Sequence, residues 1–162
     1  MKQELKNAYE KISTGTELRA GLIEIKNLLK EEKNRRELAY QLGGDFKVLT
    51  RCLSDGDPKV RKNAALVLGA MESDDLVRVL LNAYKKEDTL FVKSAYLKAL
   101  LDLNYEEELP YLKERLQELD QEPVTEANQK HIREEAGMLQ QLISQKEKRK
   151  KHTFDGFDRQ VE

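Results

Sequence analysis

The sequence predicts an all-α protein, an α-α superhelix of stacked helix pairs, on three observations. Apolar residues recur at helical spacing along most of the chain, and a helix-pair pattern repeats at roughly 30 to 45 residues. The composition suits amphipathic helices with charged outer faces: of 162 residues, 39% are apolar, 36% charged and 6% aromatic, with 3 Pro and no Trp. Such a length holds either one domain with a core or a short stack of helix pairs.

Residues 2 to 12 carry Leu5, Ala8, Tyr9 and Ile12 at helical spacing, and Ser13-Thr14-Gly15-Thr16 breaks the pattern with glycine among cap-forming hydroxyls. A short first helix ends there. From Thr16 the segment TELRAGLIEIKNLLKEEK sets Leu18, Leu22, Ile25 and Leu29 on one stripe widened by Ile23 and Leu28, which predicts one long helix. RRELAYQLGG reads as a short helix closed by Gly43 and Gly44, because glycine reaches the left-handed conformation at a helix end without steric cost. DFKVLTRCL follows as another.

The next stretch, SDGDPKVRKNAALVLGAM, sets its own boundary. Asp57 is placed to accept a hydrogen bond from the free amides of the following helix, and Pro58 falls at the first helical position, where a missing N–H costs nothing. Val60, Ala64, Val67, Leu68 and Met71 form the buried stripe. Ser73, Asp74 and Asp75 then open a helix bearing Leu76, Val79, Leu80 and Ala83. The pattern recurs 32 residues on, VRKNAALVL aligning with VKSAYLKAL so that Val60 matches Val92, Arg61 Lys93, Ala64 Tyr96 and Leu68 Leu100. A third copy, IREEAGML, brings Ile132, Arg133, Ala136 and Leu139, preceded by a helix with Leu109, Leu112, Leu116 and Leu119 inward. Repetition of a helix pair at this period is the mark of an α-solenoid, in which each pair buries its apolar faces only against its neighbours.

The run Asp55, Asp57, Pro58, Val60, Arg61, Ala64, Leu68, Gly69 resembles the second helix of a HEAT repeat, and the N-terminal trio of helices ending in LAYQLGGDFKVLTRCL is similar to an armadillo unit. The resemblance covers about residues 16 to 145 and implies that the second helices, near 58–71, 90–103 and 129–146, line a concave face where a partner is held. It also implies that Asp57 and Arg61 belong to a ladder of charges joining successive repeats.

Composition excludes several function classes. A net charge of −1 gives no whole-chain attraction to nucleic acid or anionic lipid. One cysteine, Cys52, excludes an intrachain disulfide framework and a multi-cysteine metal site; in its helical setting it reads as a buried apolar thiol in a reducing, cytoplasmic compartment. The N-terminus lacks an apolar signal core and no apolar run reaches membrane-spanning length. His131 and His152 stand without metal-ligand or triad spacing, and Gly43-Gly44 lacks the lysine of a phosphate loop. Glu106 to Glu108 and Glu134 with Glu135 sit at helix starts, where they stabilise the dipole. No catalytic, cofactor or metal residue is expected.

The expected function is therefore a non-catalytic scaffold. Its concave face, centred on Arg61, Lys62, Lys93, Lys98 and Arg133, would hold a protein segment or another domain, without a membrane. Residues 1–147 are expected to form the repeat domain and 148–162 a basic linker or tail, or else the start of a truncated second domain. That tail carries a basic patch, Lys148, Arg149, Lys150 and Lys151, before Thr153-Phe154-Asp155-Gly156-Phe157, which reads as a strand and turn. A HEAT module followed by a basic linker and KHTFDGF is similar to the N-terminal region of bacterial RNA-methylase-like, S-adenosylmethionine-dependent methyltransferases. That second resemblance implies an RNA-positioning role, with catalytic and cofactor residues beyond Glu162.

Overall fold

The computed structural model describes residues 2–103 and 109–161, and the side chains of 2–103 and 110–145. Among them are nine α-helices and no strand: α1 Gln3–Thr14, α2 Leu18–Leu28, α3 Glu32–Leu42, α4 Lys47–Arg51, α5 Pro58–Ala70, α6 Leu76–Lys86, α7 Leu90–Asp102, α8 Leu109–Gln121 and α9 Gln129–Val161. A single 3-10 turn, Cys52–Ser54, extends α4. The chain divides into two compact units, Met1–Asn104 and Tyr105–Glu162, a division inside the 1–147 span expected to be one domain.

In the first unit α2, α5 and α7 form one layer with α5 in the middle, while α1 packs on α2, α4 on α5 and α6 on α7. This is the layered helix-pair array of an α-solenoid. Its core runs continuously through Leu5, Ala8 and Ile12 of α1, Leu22 and Ile25 of α2, Val60, Ala64 and Leu68 of α5, Leu80 and Tyr84 of α6, and Val92, Tyr96 and Leu100 of α7, all nearly free of solvent. In the second unit α8 packs on α9 through Leu112, Leu119, Ile132, Leu139 and Leu142. The side chain of Leu109 lies outside the described residues.

Most predicted boundaries match. Gly43 takes φ 55° and closes α3 by donating its N–H to the Ala39 carbonyl. Asp57 has the extended backbone of an N-cap, and its Oδ1 accepts from Lys59 N at 2.9 Å with Pro58 opening α5. Gly69 meets a different requirement: a methyl group there would lie 2.8 Å from both Cα and Cβ of Ala99, so glycine lets the α5 and α7 backbones approach directly.

Three elements differ. The long helix expected through Lys33 stops at Leu28, and α3 begins four residues later. The cause is a pair of side chains. Asn34 Nδ2 donates to the Leu28 carbonyl at 2.8 Å, and Arg35 donates to the carbonyls of Leu29 and Lys30 at 2.8 and 3.2 Å, satisfying the helix end without glycine. On α6 the inward stripe is Leu76, Leu80, Leu81 and Tyr84, while Val79 is 38% exposed. Finally α9 passes unbroken through the expected boundary at 147 and through Thr153–Phe157, where a strand and turn were expected. Lys, Arg, Gln and Glu propagate a helix already started, and one glycine does not end it.

Candidate interaction surface

The two arginines carried by α2 and α5, Arg19 and Arg61, are committed to pairs between elements. Arg61 makes a forked pair with Glu87, Nε to Oε1 at 2.8 Å and Nη2 to Oε2 at 3.0 Å, and its Nη1 donates to the Asp55 carbonyl at 2.8 Å. This pair joins α5 to the loop leading into α7. Only 18% of the Arg61 side chain and 5% of the Glu87 side chain meet solvent. Glu87 also accepts from Thr89 N at 3.1 Å. Burial pushes its carboxyl upward, but Arg61 and the backbone amides outweigh that and hold it below the usual carboxylate range. The Tyr96 phenol is pushed up by burial and by the Glu87 charge. One rung earlier, Arg19 pairs with Asp57 at 3.1 Å across α2 and α5, more exposed. The ladder implied by Asp57 and Arg61 exists, each residue paired with a different neighbour. In the second unit Arg115 forks onto the fully buried Glu135 at 2.8 and 3.1 Å, so Glu135 is an interhelix partner and not a residue serving the helix dipole alone.

Lys93 leaves the expected binding stripe for the same reason as Arg61. It occupies the matching position of the next repeat, is 8% exposed, donates to the Tyr84 carbonyl at 3.3 Å and sits 4.5 Å from the Tyr84 ring centroid. An inward position cannot also face a partner.

Lys62 and Lys98 do stand at the surface, half-buried and exposed, and the structure adds Lys26 of α2 and Lys30 in the turn after it. Lys26 Nζ crosses the α2–α5 seam to donate to Asn63 Oδ1 at 3.0 Å, next to Lys62. Burial lowers the Lys26 ammonium below its usual value, and the charges of Lys62, Lys30 and Lys98 lower it further, so lysines on or beside three adjacent helices of the layer, α2, α5 and α7, share one field. The ammonium groups of Lys30, Lys62 and Lys98 have no ion-pair partner among the described residues. Asp102, one helical turn past Lys98, is raised by burial, drawn down by Lys98 and pushed up by Glu72. Sequence reading missed Lys26, although Lys26, Lys62 and Lys98 follow one another at intervals of 36 residues.

Arg133 is exposed on α9 in the second unit. The side chains of Lys148, Arg149, Lys150 and Lys151, like residues 106–108, lie outside the described residues. A groove of about 670 Å³ beside Arg61 and Glu87 is lined by Thr50, Asp55, Asn82, Lys86 and Thr89, but its buried acid is already paired. Among the described residues no cluster of His, Cys, Asp or Glu could hold a metal ion, and no helix is long and apolar enough to cross a membrane. Cys52 is buried, its thiol pushed up by burial and by Asp55.

A family model described as HEAT repeats matches residues 46–130, the span from the start of α4 to the start of α9. No curated protein and no solved structure matches the chain.

Proposed function

The chain belongs to the HEAT-repeat family, and from that premise we propose that it is a protein-binding scaffold whose working surface is the α2–α5–α7 face of its first unit. Repeats of this family commonly mediate protein–protein interaction. The observation that carries the choice of face is the division of labour among its cations: Arg19 and Arg61 tie neighbouring helices together, while Lys30, Lys62 and Lys98 make no ion pair among the described residues and share one field with Lys26. Holding like charges close together costs stability, which an anionic partner recovers on binding.

The test is a photo-crosslinking amino acid placed at residue 62 and, as control, at the exposed residue 36 on α3. Position 62 should capture a protein partner that position 36 does not, and the triple change Lys26→Glu, Lys62→Glu, Lys98→Glu should abolish capture while the helical circular dichroism is kept. Equal capture from both positions, unaffected by the triple change, would remove the assignment.

A further inference from the structure

The lysine face is not uniformly polar. One helical turn from each of three lysines stands an aliphatic side chain on the same stripe: Ile23 beside Lys26, Leu66 beside Lys62 and Leu101 beside Lys98. Ile23 is 39% exposed, and Leu66 and Leu101 are half-buried although the core lies beneath them. Cation and hydrocarbon therefore alternate along each of three adjacent helices.

We propose that this face takes an acidic amphipathic peptide segment, its carboxylates set over Lys26, Lys30, Lys62 and Lys98 and its apolar side chains against Ile23, Leu66 and Leu101. The inference rests on the α2–α5–α7 face being the interaction surface, and it specifies the chemistry of the occupant. Charge complementarity selects an acidic chain. The aliphatic positions select a peptide with apolar side chains, since a sugar-phosphate backbone has nothing to set against three Ile and Leu side chains. Lysine is a compact, hydrated point charge, adaptable to carboxylates in varied orientations, whereas the arginines of α2 and α5, Arg19 and Arg61, are spent on Asp57 and Glu87 and α7 carries none.

The experiment uses the full chain and a fluorescein-labelled synthetic peptide in which Glu-Glu and Leu-Leu pairs alternate. Two comparison probes are the same peptide with Ser at every Leu and a labelled oligouridylate, all read by fluorescence anisotropy over a salt series. The expected result is binding that weakens with salt and falls about tenfold in Lys62→Glu and again in Lys98→Glu. It should fall severalfold in Ile23→Ser and in Leu66→Ser, with the Ser-for-Leu peptide about tenfold weaker than its parent. Ile23 stands at the surface, so its variant keeps the fold even should Leu66→Ser lose it; thermal unfolding of each variant checks this. If the Ser-for-Leu peptide binds as tightly as its parent and Ile23→Ser changes nothing, the amphipathic occupant is wrong, while the face remains a protein-binding surface. Tighter binding of oligouridylate overturns the inference in favour of nucleic acid. If no peptide binds, or binding is indifferent to Lys26→Glu, Lys62→Glu and Lys98→Glu together, the inference falls, while crosslinking from residue 62 decides separately whether the face binds protein.

Discussion

Replacing Arg61 by Met tests what holds α5 to the loop before α7. The change keeps the length of the stem and removes the fork, leaving Glu87 with a 5% exposed side chain and no guanidinium. Breaking one partner of a buried ion pair costs about 3–5 kcal/mol. The retained bond from Thr89 N and the 18% exposure of Arg61 place this case at the lower end, about 3 kcal/mol. The effect carries a pH signature. In the native chain the Glu87 pKa is lowered by folding, so its contribution is complete above the unfolded value near ~4.3 and is lost as pH falls through the lower folded value. Without Arg61, burial dominates and the folded pKa rises above the unfolded one, so protonation relieves the variant as pH falls. The gap between the proteins is therefore largest near neutrality and narrows towards about pH 4. Urea unfolding followed by circular dichroism at both pH values measures it, and the double change Arg61→Met, Glu87→Leu should recover most of the loss. A gap under about 1 kcal/mol at neutrality, or one of equal size at both pH values, would refute the buried-pair account.

Gly69→Ala should destabilise by about 1–3 kcal/mol, read as a lower urea midpoint, because the new methyl meets Ala99 backbone that cannot rotate away. Lys62→Glu should change stability by less than about 0.5 kcal/mol, whereas Lys93→Glu should cost about 3 kcal/mol or more, since it puts a carboxylate beside the Tyr84 carbonyl and over its ring; equal effects would contradict the placement of Lys93. Arg115→Ala should cost about 3 kcal/mol in the second unit by stranding Glu135, measured by amide exchange across α8 and α9. Cys52 should react with a thiol reagent about a hundredfold more slowly than free cysteine at mildly alkaline pH, and at the ordinary rate in urea.

Where structure was legible in the sequence, the cause was local. Asp57, Pro58 and Gly43 act on backbone groups within a few residues, so spelling alone located those helix ends. The end of α2 was hidden because its carbonyls are satisfied by Asn34 and Arg35, polar residues with no reputation as stop signals. The inward position of Lys93 was available in principle: it aligns with Arg61, already read as part of a ladder between repeats, and repeat-equivalent residues share an environment. Lys26 escaped because the alignment was anchored on Val60 and Val92 and did not extend to α2. Glu135 could not be distinguished from its exposed neighbours, since its burial is decided by Arg115, 20 residues earlier on another helix.

The contact of Gly69 with Ala99 has a mechanical meaning. Interdigitated side chains between helices are close-packed and scarcely compressible, so stacks of helices flex by small sliding at their seams. At the α5–α7 seam the backbones meet directly at Gly69 and Ala99, and Arg61 ties α5 to Glu87 in the loop before α7, so this seam has two anchors against sliding. The α2–α5 seam is fastened by a solvent-exposed pair, Arg19 with Asp57, and by the reach of Lys26 to Asn63. Flexing within this unit is therefore expected first at the α2–α5 seam, where it would change the separation of Lys26 and Lys30 from Lys62 and Lys98 more than that between Lys62 and Lys98.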